Sequence, residues 1–388
     1  MAWGPGSRPV ICPTVRAVTQ PTHARSRLPV LGVLSPISRI AVVVTVVVSI
    51  VAIVLDFGAH ADKTVIFITA AVAILGLAWL VGVATERLGG ITGPHIGGVL
   101  NATFGNIAEL IIAFFALQAG LIDVVKASLT GSIIGNLLLV LGISVLAGGL
   151  RHGPQAFSAK VAGMNAGLLA VAAIGLFVPA IFQISGGHVD QGSLTEESVL
   201  TAVLLMVGYV LALVFQFTNP ALMLGGHEPS AEHGGPSWSG RTTILVLLGA
   251  AGLLAVLSEI LVGAIEPFIE TFGLSAFFVG VVIIPTIGNL AEHFVAVQLA
   301  WRNKMEFAMA VSFGSSLQVA LFVIPVLVIL GALMGQPMDL AFQPLEVAAV
   351  AAAVAISALI ALDGESNWLE GALLTIVYLI LAAAFYEL

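Results

Sequence analysis

Two glutamates in this chain stand in the same local setting. Glu109 lies four residues after Gly105 and three after Asn106, and Glu292 keeps the same spacing from Gly288 and Asn289. Residues three and four apart share one face of a helix. Each segment therefore presents a small backbone position, an amide oxygen and a carboxylate together. Two such segments aimed at one point would offer two carboxylates, two amides and several main-chain carbonyls. That is the hard-oxygen set Ca²⁺ takes, roughly six to eight oxygens at about 2.3–2.6 Å. The chain holds one cysteine, Cys12, which excludes an intramolecular disulfide. A donor set without thiolate and poor in imidazole argues against soft or borderline metals. The plainer alternative is that Gly-Asn-x-x-Glu only packs helices, with small residues at the contact and polar ones as glue. A second copy weighs against it.

The surroundings repeat as well. Gly105, Asn106, Ala108 and Glu109 of NATFGNIAELIIAFFAL align with Gly288, Asn289, Ala291 and Glu292 of IPTIGNLAEHFVAVQLA at one offset of 183 residues. At that same offset Gly131-Ser132 meets Gly314-Ser315 in the following apolar run. Matches in register across consecutive runs indicate an internal duplication.

The elements that must carry these residues lie in a bilayer. Hydrophobic residues make up 59% of the 388, charged residues 9%, and the mean hydropathy is +1.12. A soluble domain carries roughly a quarter charged residues, so this chain could not cover its own surface in water. Apolar runs of about 20 residues, enough to cross ~30 Å of hydrocarbon, fall near 37–55, 64–85, 95–119, 124–148, 158–182, 197–217, 243–265, 274–300, 307–333, 343–362 and 368–387. The expectation is an all-α polytopic membrane protein with about eleven transmembrane helices. The runs 95–119 and 274–300 contain Gly, Asn and Glu, the second also Pro285, and are expected to be interrupted helices.

Basic loops stay on the cytoplasmic side. With the N-terminus inside, eleven of the 13 basic residues fall inside, and only Lys63 and Lys126 remain outside. The two motif-bearing runs are the third and the eighth, five apart, so they cross in opposite directions. The halves, 64–217 and 243–388, are thus expected to be inverted five-helix repeats, with 37–55 as an extra N-terminal helix. Transporters of this build bind their cargo near the midplane, at the repeat interface.

Residues 1–36 hold six Pro, four Arg and no acid. They read as a disordered basic leader; an organellar transit peptide and an upstream start codon are the other readings. Residues 218–242 are rich in Gly, Pro, Ser and His and read as a cytoplasmic linker. His227 and His233 around Glu228 and Glu232 can bind a metal weakly, or simply be solvated.

An intramembrane acid is a functional hypothesis by default. A carboxyl in low dielectric favours its neutral form, and a second acid beside it opposes ionisation of both. Such a pair titrates as a unit. Without metal it holds protons, which a divalent cation displaces. Mutually exclusive occupancy, exposed to each side in turn, gives exchange with no separate energy source. Glu86 and Glu259 end or line the preceding runs and can pass cations or protons inward. Glu259 is expected to lie the deeper of the two, whereas Glu86 beside Arg87 can equally form an interfacial ion pair. Glu266 and Glu270 are placed at the outer mouth. Ser132, Asn136, Ser315, Ser316 and Gln318 of GSIIGN and GSSLQV can complete the oxygen shell or gate the path; back-bonded Ser and ordinary interhelical contacts are the alternative. His293 follows Glu292 where the first half has Leu110, and can tune proton coupling or pack as a neutral side chain. His95 is a weaker candidate.

GPHIGGVLNATFGNIAELIIAFFAL and IPTIGNLAEHFVAVQLAWRNKMEFAMAVSFGSSLQ resemble the two signature repeats of the Ca²⁺/H⁺ antiporter (cation/proton exchanger) family of the calcium/cation antiporter superfamily. The resemblance extends over residues ~64–388, and the Glu-His pair of the second repeat is similar to this branch rather than to the sodium-coupled one. It implies an eleven-span fold, Glu109 and Glu292 as central cation ligands with Asn106 and Asn289 beside them, and cytosolic Ca²⁺ expelled against proton entry. Two departures stand out: a short, modestly acidic linker, and Leu290 and Phe294 where small residues are commoner, which bears on the width of the site. Richness in Ala, Gly and Val with few Lys suggests a bacterial plasma membrane.

Three rival readings remain at this level. One is a Na⁺-coupled or monovalent cation exchanger of the same superfamily, and another is a passive cation channel. The third is an intramembrane protease using Gly-x-Ser at Gly142–Ser144 or Gly314–Ser316, with His293 nearby. No enzyme, cofactor or nucleic-acid partner is expected; the partners are Ca²⁺, H⁺ and the lipid bilayer.

Overall fold

The computed structural model describes residues 35–59, 61–185, 191–219 and 238–387. The leader up to residue 34 and linker residues 220–237, with His227, Glu228, Glu232 and His233, lie outside the described residues. The protein is an all-α polytopic membrane protein. Its helices are α1 (Pro36–Phe57), α2 (Lys63–Thr92), α3 (Pro94–Phe104), α4 (Ile107–Gln118), α5 (Ile122–His152), α6 (Ala159–Ser185), α7 (Gln191–Thr218), α8 (Gly240–Val262), α9 (Ile265–Phe272), α10 (Ala276–Trp301), α11 (Met305–Met334), α12 (Pro344–Ile360) and α13 (Trp368–Tyr386). Among the described residues, nine helical stretches are long and apolar enough to cross a bilayer. The shorter apolar helices α4 and α12, α4 together with α3, bring the crossings to eleven.

Local chemistry sets the helix ends. Ser35, Asp62, Ser239 and Ser275 cap α1, α2, α8 and α10 by accepting main-chain N–H bonds, as short polar side chains do at an N-cap. Glu346 and Glu370 complete capping boxes with Gln343 and Asn367. Gly93, at φ 89°, ends α2 and admits α3 after a single residue, a backbone that a side chain would strain.

Glycine lets the helices approach closely, the usual device where lipid supplies no hydrophobic drive between helices. A methyl group on Gly142 of α5 would lie 2.7 Å from the Thr375 hydroxyl of α13. On Gly76 of α2 it would lie 2.8 Å from Thr45 Cγ2 of α1. The helix α1 stands outside the repeat and leans on α2.

Two contacts orient α2 against α8. The Arg87 guanidinium, near the end of α2, lies 4.3 Å from the Trp238 ring centre just before α8. At the start of α2 the Thr64 hydroxyl is 3.5 Å from that of Thr271, after α8. The two helices are antiparallel, as inverted halves require. The end holding residues 219 and 238 is called the linker face below, the other the far face. Thr85-Glu86 of α2 matches Ser258-Glu259 of α8 at an offset of 173, ten short of the motif offset. The short helix α9, absent from the first half, accounts for most of that difference.

The linker face is stapled. Gln155–Ala156 pairs antiparallel with Glu365–Ser366. The buried Gln155 amide donates to Ala300 O at 3.1 Å and Asn303 Oδ1 at 2.8 Å, and His152 Nε2 lies 2.9 Å from Trp301 O. On the far face Lys126 pairs with Asp339 and donates to Ala341 O at 3.2 Å, and Ser198 Oγ accepts from Leu340 N at 2.9 Å.

Candidate functional site

The two motif segments are built differently. In the first, the chain breaks: α3 stops at Phe104, Gly105 and Asn106 form a turn, and α4 starts at Ile107 with Glu109 in its first turn. A helix end leaves its last carbonyls without intrahelical donors, and the amide-rich start of α4 favours a carboxylate there. In the second, α10 runs through Gly288 and Asn289 without a break. Its irregularity lies earlier, in π-helical turns at Val279–Ile283 ahead of Pro285. The interruption expected in both runs is a full break in only one. Further π turns occur at Gly135–Val140 of α5 and Val319–Val323 of α11, at equivalent positions. A π turn widens a helix and is frequent at functional sites.

Each motif asparagine reaches into the other half. Asn106 Nδ2 donates to Ser315 O at 3.3 Å and Ser315 Oγ at 3.2 Å, and Asn289 Nδ2 donates to Ser132 Oγ at 3.1 Å. Asn106 and Asn289 are equivalent at offset 183, as are Ser132 and Ser315. The two contacts therefore exchange under the pseudo-two-fold. They lock α4 to α11 and α10 to α5 around one centre. Asn136 adds a second donor to Ser315 Oγ at 3.0 Å, and Ser315 Oγ itself donates to Asn106 Oδ1 at 3.3 Å.

The carboxyls meet inside this frame. Glu109 is 7% exposed and Glu292 half-buried, and the Glu109 side chain lies against Gly288, one helical turn before Glu292 on α10. Asn289 approaches Glu109, and Ser315 approaches Glu292. A methyl on Gly288 would sit 3.0 Å from Glu109 Cγ, and one on Gly105 2.9 Å from Gln318 Oε1. Both glycines thus mark places where a polar chain lies against bare backbone. Glu109 Oε1, Glu292 Oε2, Asn289 Oδ1, Gln318 Oε1 and His293 Nε2 are buried without a hydrogen-bond partner. Unmatched buried oxygens are costly, and a hard cation or a proton would match them. Among the described residues no group of three or more His, Cys, Asp or Glu forms a metal cluster. Oxygens beyond the two carboxylates must therefore come from amides, hydroxyls and the main chain. A small cavity beside Glu109 is lined by Ser128, Ser132, Ile284 and Pro285.

Other sequence candidates stand apart. Glu86 and Glu259 are both exposed. Glu259 lies three residues from the end of α8, whereas α2 continues six residues past Glu86; Glu259 is therefore the nearer of the two to its helix end. Because the helices are antiparallel, the two acids mark opposite faces, Glu86 the linker face and Glu259 the far face. Arg87 stacks on Trp238. Glu266 and Glu270 are exposed on α9. Leu290 and Phe294 are 43% and 64% exposed, so they point away from the centre and do not narrow it. Ser316 donates its hydroxyl to Ser312 O at 2.9 Å, an ordinary back-bond rather than a nucleophile held by His293. The cross-half Asn–Ser pairs were not readable from spacing; the shared offset of both residue types was the available signal.

Residues 63–218 and 242–387 match the sodium/calcium exchanger protein family. The chain is 44% identical over 340 residues to a Ca²⁺/H⁺ antiporter of Aphanothece halophytica, covering 84% of this chain and 91% of the relative. It is 42% identical over 335 residues to the Ca²⁺/H⁺ antiporter ChaA of Bacillus subtilis strain 168, covering 85% and 94%. Among solved structures it resembles native YfkE, with a TM-score of 0.78 and 38% identity over 90% of this chain and 100% of that one. With both halves matched and relatives this similar over most of their length, the chain belongs to the sodium/calcium exchanger protein family.

Proposed function

We infer that the chain is a secondary antiporter that exchanges Ca²⁺ for protons. The observation that carries this is the paired seat described above: Glu109 of one inverted half lies against Gly288 of the other, one helical turn before Glu292, within reciprocal Asn–Ser contacts. The relatives named for Ca²⁺/H⁺ antiport support the same reading.

In this reading Glu109 and Glu292 are the charged ligands. The Asn289 amide oxygen and main-chain carbonyls near Gly105 and Gly288 supply neutral oxygens; Asn106 contributes after it leaves Ser315. Two carboxylates neutralise one divalent ion. When the ion leaves, the same groups take up protons, because two bare carboxylates in low dielectric repel. Occupancy by Ca²⁺ or by protons, one at a time and open to one face at a time, couples the two flows. Ser132, Asn136, Ser315 and Gln318 position the ligands, His293 lies beside the proton-carrying pair, and Glu86 and Glu259 attract cations at the two mouths. The halves at 64–217 and 243–388 move as units joined through 218–242, and 37–55 is a peripheral helix. The distribution of basic residues supports a cytoplasmic N-terminus and linker face, and protons entering from the far face would drive Ca²⁺ out of the cytosol. The bacterial relatives support a plasma-membrane location.

Flux in inverted vesicles tests this. A proton gradient, with no Na⁺ present, is expected to drive uptake of radiolabelled Ca²⁺, and dissipating the gradient to stop it. Uptake that needs a Na⁺ gradient would instead support the sodium-coupled reading, and ohmic current would support a channel.

A further inference from the structure

The motif offset of 183 lets the two halves be compared contact by contact, and one comparison breaks the symmetry. On the far-face side of the centre, α5 and α10 are sealed together. A methyl on Gly131 of α5 would run into the Val281 carbonyl of α10, and one on Gly280 of α10 would lie 2.6 Å from Ala127 Cβ and 3.1 Å from Val124 O of α5. The two backbones touch there through bare glycine. The equivalent residues on the linker-face side are Gly314 and Ala310 of α11 with Gly97 and Gly98 of α3. That seam is open. Nothing lies within 4 Å of a methyl on Gly314, whereas one on Gly97 meets Gly89 Cα of α2 at 2.8 Å and one on Gly98 meets the Phe217 ring of α7 at 2.7 Å. The glycines that would seal α3 against α11 are turned onto other helices.

Three features follow the same asymmetry. Glu109, behind the sealed seam, is buried, while Glu292 is half-buried. The π turns Val279–Ile283 coincide with the sealed stretch, whereas the equivalent stretch of α3 is ordinary α-helix. Cavities lie on both sides of the sealed seam. One at the far face is lined by Asp123, Lys126, Ser275 and Phe277, and the other, beside Glu109, by Ser128, Ser132 and Pro285.

We propose that these two glycine seams are the alternating gates of the exchanger: Gly131/Gly280 closes the far face, Gly314/Gly97 closes the linker face, and the present structure has the first shut and the second open. Small residues match at the seams (Gly131 with Gly314, Ala127 with Ala310, Gly280 with Gly97), so each half has the bare backbone that the other's packing needs. In the opposite state α3 would straighten toward α11 while the π turns of α10 release Gly131. Two arrangements of packed elements, rather than continuous deformation, are what such switches use. The proposal rests on the exchange reading, but its test does not depend on which ions move.

In full-length protein carrying Cys12→Ser, Ser128→Cys reports far-side access and Val311→Cys, its equivalent on α11, reports linker-side access to membrane-impermeant thiol reagents. Gly131→Val cannot close the far seam. It is expected to label Ser128→Cys from the far face at least about tenfold faster than its parent and to abolish exchange. Gly314→Val places its side chain in space that is empty here, so it folds, keeps Val311→Cys open to the linker face, and also abolishes exchange because that seam can no longer shut. Identical labelling patterns in the two variants, or wild-type exchange in Gly314→Val, would overturn the gates. Should Gly131→Val fail to insert, Gly314→Val decides alone. Absence of Ca²⁺ flux in the wild type would sink the exchange reading while leaving the labelling contrast to stand or fall separately.

Discussion

In the first half the chain breaks at Gly105–Asn106, and Glu109 sits in the first turn of a new helix; in the second, α10 runs unbroken past Gly288–Asn289, and Glu292 projects from its middle. Both segments carry the same four motif residues. Their difference therefore lies outside those four residues. Asn106 Oδ1 is taken by Ser315 while Asn289 Oδ1 is free, and Glu109 is enclosed where Glu292 is partly open. The same Gly-Asn-x-x-Glu motif is held in two packings, a broken helix in one half and a continuous one in the other. A transporter needs two arrangements: the energy difference between its two faces must be small enough for cargo to tip it.

Substitutions at the carboxyls should show the largest effect and the least difference between halves. Glu109→Gln and Glu292→Gln are each expected to lower proton-driven Ca²⁺ uptake by at least about a hundredfold, equivalent to about 2.7 kcal/mol, while the protein still inserts and purifies normally. Retained exchange in either one would break the equivalence of the two acids.

Serine truncation sharpens the contrast. Ser315 receives bonds from Asn106 and Asn136, whereas Ser132 receives one from Asn289. Leaving a buried amide unmatched costs about 1–3 kcal/mol. Ser315→Ala should therefore lower the melting temperature and the exchange rate more than Ser132→Ala does. Equal losses would mean that the extra bond to Asn136 is immaterial.

The smallest effect is expected at the mouths. Glu86→Gln and Glu259→Gln, both at exposed positions, should slow uptake by about twofold to threefold through weaker cation attraction, with the loss fading at high ionic strength. Glu86→Gln should act on ions arriving at the linker face and Glu259→Gln on those at the far face; the reverse would invert the assigned orientation of α2 and α8.

Much of this was legible in the sequence. Long apolar runs set the crossings, since no other backbone arrangement is satisfied in lipid except a closed barrel, and a fixed offset between two Gly-Asn-x-x-Glu segments exposes the internal repeat. Glu259 stands nearer its helix end than the apolar run suggests, because apolar residues continue past that end. The apolar run extends to 265, but Gly263 terminates α8 after Val262, and α9 takes up the apolar residues beyond. Which half breaks at its Gly-Asn could not be read, because both halves offer the same glycine and the choice is made by tertiary contacts to α2, α7 and α11. The pairing of Asn106 with Ser315 and of Asn289 with Ser132 was hidden for the same reason. Spacing places residues on a helix face; it does not say which helix that face meets.

The central claim is that one pair of carboxyls holds either Ca²⁺ or protons. Purified protein titrated with Ca²⁺ in a weakly buffered, dye-containing solution reads this directly. Proton release that saturates together with Ca²⁺ binding, and that is lost in Glu109→Gln and in Glu292→Gln, is the expected result. Ca²⁺ binding of undiminished affinity with no proton released would contradict it.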